Sequence, residues 1–246
     1  MRQLISGPRA AEDQLALDEA LLVRADESED ESPADHEWLR LWQFESPTLV
    51  LGRSSKFLRE TNEEACRAAG VPILRRCSGG AAIVGGPGCL MYSLVLSLER
   101  RPELRKIDAA HRLVMGRMVG VVGRQLSGVR FDGTCDLTWR GRKFSGNSLK
   151  VGRRSLLYHG TFLIGADLAL IARCLGVAPR QPEYRRGRAH GEFVTNVPLC
   201  PDRLESDLGE AWGVARRVEG LDPALEETMR RLRQERYGRQ DWHRRH

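Results

Sequence analysis

The sequence predicts an α+β fold, in the broad α/β sense, with a mostly antiparallel mixed sheet flanked by helices. Strands and helices come in runs rather than in strict alternation, as in folds whose helices are segregated from the sheet. The run is clearest from Val129 to Leu163, where five strand-like stretches follow one another. No internal repeat and no linker interrupts the chain. Its 246 residues therefore read as one domain, 1–246, long enough to bury a full core.

Glu12–Ala25 reads as an amphipathic helix, with Leu15, Leu17, Ala20, Leu21 and Leu22 clustered and Asp18, Glu19 and Arg24 projecting elsewhere. Asp26–Asp35 is an acidic run containing Ser and Pro, expected to be an exposed loop. Trp38–Phe44 alternates apolar and polar residues as a half-buried strand, and Thr48–Leu51 is a second strand ending at Gly52-Arg53. Asn62–Ala69 reads as a helix stopped by Gly70. Val71–Arg76 and Ala81–Val84 bracket a Ser-Gly-Gly turn as strand–turn–strand. Met91–Leu98 is a strand and Ile107–Leu126 a helix. Val129–Phe131, Asp136–Trp139, Arg142–Phe144, Ser148–Val151 and Ser155–Leu163 follow as antiparallel strands. Leu168–Leu175 is a short helix, Arg180–His190 an aperiodic loop, and Asp202–Val218 and Pro223–Tyr237 are terminal helices.

A formal net charge of +6 suits a phosphate-bearing ligand or an acidic protein partner. No nucleic acid is expected, because no RRM, zinc-finger or basic-zipper pattern is present and aromatics are too sparse for a stacking platform. No membrane is expected either. No apolar stretch reaches spanning length, and MRQLISGPRAAED lacks the apolar core of a signal peptide, so a cytoplasmic protein is the expectation. The six cysteines show no CxxC pairs, which argues against a zinc site and a disulfide framework and suits a reducing compartment.

Two segments carry chemistry. In LRRCSGGAAIVGGPGCLMYS (74–93), Gly79 and Gly80 permit left-handed backbone and close ligand approach, while Arg75 and Arg76 offer guanidinium donors for phosphate or carboxylate. Taken alone, this segment is equally a basic hairpin with a glycine turn. The second segment is GTCDLTWRGRKFSGNS (133–148). Neither contains a P-loop or a dinucleotide GxGxxG.

Together these segments resemble the catalytic domain of the lipoate–protein ligase and octanoyltransferase family, a relative of biotin–protein ligase. That family carries RRxSGGG(A/T)V, a (G/N)DL…(G/D)RK(x)SG(N/S) element and an LHHGTLL strand. Their counterparts here are Arg75–Ile83, Cys135–Asn147 and Leu157–Leu163, with LALDEALL, TLVLGR and FVTNV in matching order around them. The resemblance covers about 15–197 and implies a biotin/lipoate protein ligase-like fold, followed by a helical extension at about 202–246. It also implies ATP-dependent attachment of lipoate or octanoate to a lysine of an apo lipoyl carrier domain through an acyl-adenylate, with ATP and Mg²⁺ required. Two-domain relatives carry a further C-terminal domain, so a separate accessory subunit is an open alternative.

Carried over residue by residue, Lys143 becomes the lysine that contacts the adenylate and polarises its carbonyl. Arg75, Arg76, Ser78, Gly79, Gly80 and Ala81 wrap the adenylate. Ser145, Gly146 and Asn147 bring the chain close to it, Asp136 stands where the family has an aspartate associated with Mg²⁺ and ribose, and His159, Gly160 and Thr161 match the HHGT strand. Each has a plain structural alternative: a solvated lysine, a turn carboxylate, a satisfied core histidine. Three departures stand out: Tyr158 in place of the first histidine, Ala81 in place of a third glycine, and Gly85-Gly86 in place of a common His-Asp pair. The alternative activity is octanoyl transfer from acyl carrier protein, without ATP, through a cysteine thioester. Cys135 is its candidate nucleophile and Cys200 a weaker one. Arg185–Arg188 is a candidate docking patch or simply a solvated charge run.

Overall fold

The computed structural model describes residues 1–27, 32, 34, 36–177 and 181–246; most of the acidic run Asp26–Asp35 lies outside them. The chain opens on strand β1 (Arg2–Ile5) and helix α1 (Ala11–Glu27), then β2 (Trp38–Trp42) and β3 (Thr48–Leu51). Two short helices, α2 (Phe57–Glu60) and α3 (Glu63–Ala68), precede β4 (Ile73–Arg75), β5 (Ile83–Gly85) and β6 (Cys89–Ser97). Helix α4 (Ile107–Gly123) leads into β7 (Val129–Asp132), β8 (Asp136–Trp139), β9 (Arg142–Val151) and β10 (Ser155–Leu163). The rest holds α5 (Leu168–Cys174), α6 (His190–Phe193), α7 (Pro201–Ala211), β11 (Arg216–Glu219), α8 (Pro223–Leu232) with its π-helical continuation Arg233–Tyr237, and α9 (Gln240–Arg244). No described helix is long and apolar enough to cross a membrane.

The large sheet has the order β11-β1-β2-β6-β10-β9-β8-β7. It is antiparallel except at one edge, where β1 runs parallel to both β11 and β2. A small sheet, β4-β3-β5, packs on one face of it together with α1 and α8, while α4 and α7 cover the other face. Alternation along β10 serves both cores: Leu157 packs toward α1, whereas Leu156, Tyr158 and Phe162 pack toward α4.

Four expectations change. The Ser-Gly-Gly segment is not a hairpin turn, because β4 and β5 pair not with each other but with β3, β4 in parallel and β5 in antiparallel register. The stretches 142–144 and 148–151 are one strand, β9. The stretch 202–218 is not one helix: α7 ends before Gly213, whose φ of +64° stops it, and the chain returns as β11 beside β1. That pairing joins segments more than 200 residues apart through strands of four residues each, and local pattern carries no trace of it. Finally, Asp18 and Glu19 do not face solvent. Helix α1 is wedged between the large sheet and α8, so residues 14–22 are buried on all sides.

Candidate functional site

The Ser-Gly-Gly loop crosses from β4 to β5 over the end of β3. Its neighbour Gly52 must be glycine, because a Cβ there would lie 1.9 Å from the Gly80 carbonyl oxygen. Arg76 fastens the loop from within. Its guanidinium donates to the carbonyls of Gly79 (2.5 Å), Ala81 (3.0 Å) and Val50 (3.2 Å), and to Ser78 Oγ (3.0 Å). Burial pushes the Arg76 pKa down to about 10, which leaves it a cation at neutral pH. Glu60, a buried carboxylate absent from the sequence expectation, accepts from Ser55 Oγ (2.9 Å), Lys56 N (3.0 Å) and Ala82 N (3.0 Å), tying α2 to the loop.

Arg75 points the other way, as neighbours on a strand do. Its guanidinium is sealed behind the loop, donating to the carbonyls of Gly52 (2.7 Å), Ser55 (2.9 Å), His243 (3.0 Å) and Arg245 (2.5 Å). The structure therefore places Arg75 as the clamp that docks α9 against β4, and it does not line the cavities around Lys143. Arg76 is the arginine that reaches the cavity wall.

Two adjoining cavities meet at Lys143. The larger, about 130 Å³, is lined by Ile83, Phe144, Leu163, Ile171 and Phe193 together with the polar Glu60, Arg185 and His190. The smaller, about 90 Å³, runs back between Leu15, Trp42, Val50 and Met91, with Arg76, Asn147, Ser148 and His159 on its polar side. Ala81, Ala82, Ile83, Lys143, Gly146 and Thr161 line both. Lys143 is held by Asp136, whose Oδ1 lies 2.7 Å from the ammonium. Its backbone carbonyl accepts from Thr195 N at 2.8 Å, so the FVTNV stretch sets the lysine's height on β9. A Cβ at Gly146 would come within 2.8 Å of Lys143 Nζ, so that glycine leaves the ammonium its space.

Asn147 joins the strands beside the lysine. It accepts from Tyr92 Oη (2.5 Å) and donates to Cys135 O (2.7 Å) and Ser145 Oγ (3.1 Å). Gly160 lies opposite Asn147 in register, and a Cβ there would fall 1.8 Å from Asn147 Oδ1. Gly160→Ala is therefore expected to expel the Asn147 side chain, lower stability by about 1–3 kcal/mol and impair turnover. Thermal melts and steady-state rates check both effects.

His159 bridges Asp18 Oδ2 (3.0 Å, Nδ1) and Ser78 Oγ (2.6 Å, Nε2). The order Asp–His–Ser is that of a hydrolase triad, but Ser78 is 1% exposed and Arg76 Nε already donates to its oxygen. The relay instead fixes the loop to β10 and α1. Tyr158, by contrast, faces the opposite core and pairs with His111 Nδ1 at 2.8 Å, so the first position of the histidine pair does not reach the cavities. Arg185 and Arg188 are not a free docking patch. Each donates to the other's carbonyl, and both lie over the Phe193 ring.

Residues 10–204 match the lipoyl protein ligase A/B catalytic domain. The chain belongs to that family. It is 32% identical over 210 residues to a protein named as lipoate-protein ligase A from Aeropyrum pernix, covering 83% of this chain and 72% of the relative. It spans less than half the length of several further relatives, including one from Schizosaccharomyces pombe. Its fold is that of a chain from the structure of a bi-partite lipoate protein ligase and its E2 lipoyl domain from Thermoplasma acidophilum (TM-score 0.81, 20% identity, 99% of this chain and 95% of that one). It is also that of a lipoate-protein ligase A bound with ATP (TM-score 0.75, 20% identity, 99% and 97%).

In this lipoyl ligase domain the thiols are poorly placed for covalent chemistry. Cys135 Sγ donates to the Asn147 carbonyl at 2.9 Å, lines neither cavity, and has its pKa pushed up to about 11 by burial and by Asp136 beside it. Cys200 is exposed at the start of α7. Cys89 lines the larger cavity, but burial pushes its thiol up to about 12. The donor set also does not fit a Mg²⁺ held by the protein. Among the described residues no three His, Cys, Asp or Glu side chains converge, and both Asp136 oxygens are taken, by Lys143 and by Tyr184.

Proposed function

We propose that the protein is an ATP-dependent lipoate–protein ligase that activates lipoate, or octanoate, as an acyl-adenylate and transfers it to a lysine of a lipoyl carrier domain. The observation that carries this reading is the meeting of two adjoining, mostly apolar cavities at Lys143, with no activated thiol at the junction. The smaller compartment suits a slender apolar tail, since Leu15, Trp42, Val50 and Met91 are core side chains. The larger one suits the nucleotide, since Glu60, Arg185 and His190 are among its lining side chains. The adenylate occupies both, and its mixed anhydride lies beside Lys143, which lines the two cavities.

In the first step a carboxylate oxygen of lipoate attacks the α-phosphorus of ATP, and pyrophosphate leaves. In the second, the carrier lysine's amine attacks the anhydride carbonyl and AMP leaves. The Lys143 ammonium offsets charge on the phosphate and polarises the carbonyl, while the loop held by Arg76 keeps backbone groups fixed around it. Mg²⁺ enters with the triphosphate, as part of the substrate. We take residues 1–246 as one catalytic unit; the likeness to a chain of a bi-partite ligase supports a second polypeptide as its accessory subunit.

The test is intact-mass analysis of an apo carrier domain incubated with protein, lipoate and Mg-ATP. Lipoylation that requires ATP and proceeds in Cys135→Ser at a rate within about threefold of the parent is expected, because a serine hydroxyl can still donate to the Asn147 carbonyl. Acylation from octanoyl carrier protein without ATP, abolished by Cys135→Ser, would establish the transferase instead.

A further inference from the structure

Tyr184 lies in the aperiodic stretch between α5 and α6 and was not a candidate on sequence grounds. Its phenol donates to Asp136 Oδ2 at 2.7 Å, while Lys143 Nζ holds Asp136 Oδ1 at 2.7 Å. The ring is fixed without help from Asp136. It lies 5.3 Å, centroid to centroid, from Phe193; Arg188 donates to its backbone carbonyl at 2.9 Å; and a Cβ at Gly133 would come within 3.1 Å of its edge. Asp136 lines neither cavity. It sits behind the lysine, shared between one ammonium and one phenol.

We infer that Tyr184 is a positioning residue: by holding Asp136 back, it sets how readily Lys143 is released to the anionic group of an incoming substrate. Before substrate binds, the ammonium belongs to Asp136. A phosphate or carboxylate entering the cavity competes with Oδ1 for the same cation. The phenol hydrogen bond draws charge toward Oδ2 and anchors the carboxylate, which weakens its claim on the lysine. Burial and the neighbouring Asp136 raise the Tyr184 pKa, so the phenol remains a donor throughout the neutral range.

The inference rests on Lys143 being the residue that meets the substrate anion. Tyr184→Phe keeps the ring against Phe193 and Gly133 and removes only the donor. The KM for ATP, and the Kd for ATP from calorimetry, are expected to rise about tenfold, with kcat within about twofold, the scale of one hydrogen bond to a charged group. Asp136→Asn removes the competitor, so Tyr184→Phe in that background is expected to have no further effect on the Kd. An unchanged Kd in Tyr184→Phe overturns the inference. So does an equal rise in the Asp136→Asn background, which would mark a purely structural contact. Lys143→Ala separates the two readings. If it leaves turnover intact, the proposed function fails; if it abolishes turnover while Tyr184→Phe is silent or additive, only the role of Tyr184 fails.

Discussion

Asp18→Ala is expected to destabilise the folded protein by about 3–5 kcal/mol, the usual cost of removing one partner of a buried ion pair. Asp18 is 1% exposed and Arg40 0%, and their contact is 2.7 Å. The same carboxylate accepts from Ser93 Oγ at 2.8 Å and from His159 Nδ1 at 3.0 Å. Without it the guanidinium of Arg40 is left, among the described residues, with the neutral groups of Gln14 and Ser6 and the Trp42 ring, and His159 loses the group that orients it toward Ser78. Denaturant unfolding should show a lower midpoint at unchanged slope. The pH dependence follows. Burial alone would raise the Asp18 pKa, but the His159 hydrogen bond and the Arg40 charge outweigh it and hold the carboxyl below its ordinary value. A group depressed in the folded state contributes stability above its unfolded pKa and loses it as pH falls through the folded one. The parent should therefore lose stability below about pH 4, and Asp18→Asn should be flatter there.

Lys143→Ala is expected to lower kcat/KM for lipoylation by about 10²–10³-fold, the loss typical of removing one preorganised stabiliser of developing charge. Stability should change little. The lysine side chain is 27% exposed, and pairs that reach solvent contribute about 0–1 kcal/mol. Asp136 also keeps its Tyr184 donor. Lys143→Arg should not restore the rate: a planar fork does not replace a compact ammonium, and the space beside Gly146 is tight. Steady-state rates and thermal melts on the same preparations separate loss of chemistry from loss of fold.

Much of the site was legible because it is local. GRKFSGN, the His-Gly-Thr strand and the small-residue run after Ser78 each sit on one strand or loop, and their residue types state their steric role. What stayed hidden depends on partners far away in the chain. Asp18 and Glu19 read as a solvent face because nothing near them announces Arg40, Lys150 and Arg236, the cations that pair with them, or Tyr237, whose phenol donates to Glu19. The division of labour between Arg75 and Arg76 follows from strand parity, but which of the two faces the cavity depends on the docked α9. Glu60 and Tyr184 lie in a helix of one turn and in a stretch without periodicity, where no pattern marks a functional side chain. The β1–β11 pair is invisible for a related reason: four-residue strands rich in arginine carry almost no hydrophobic alternation.

The most direct measurement is the formation of the activated acyl group in the absence of any carrier. The protein is incubated with lipoate and Mg-ATP, and small molecules and intact protein are both analysed by mass. Lipoyl-adenylate and pyrophosphate are expected from the parent and from Cys135→Ser, with at least about a hundredfold less from Lys143→Ala. Adenylate formation indifferent to Lys143, or no adenylate at all together with an acyl thioester on Cys135 when octanoyl carrier protein is supplied, would contradict a ligase centred on Lys143.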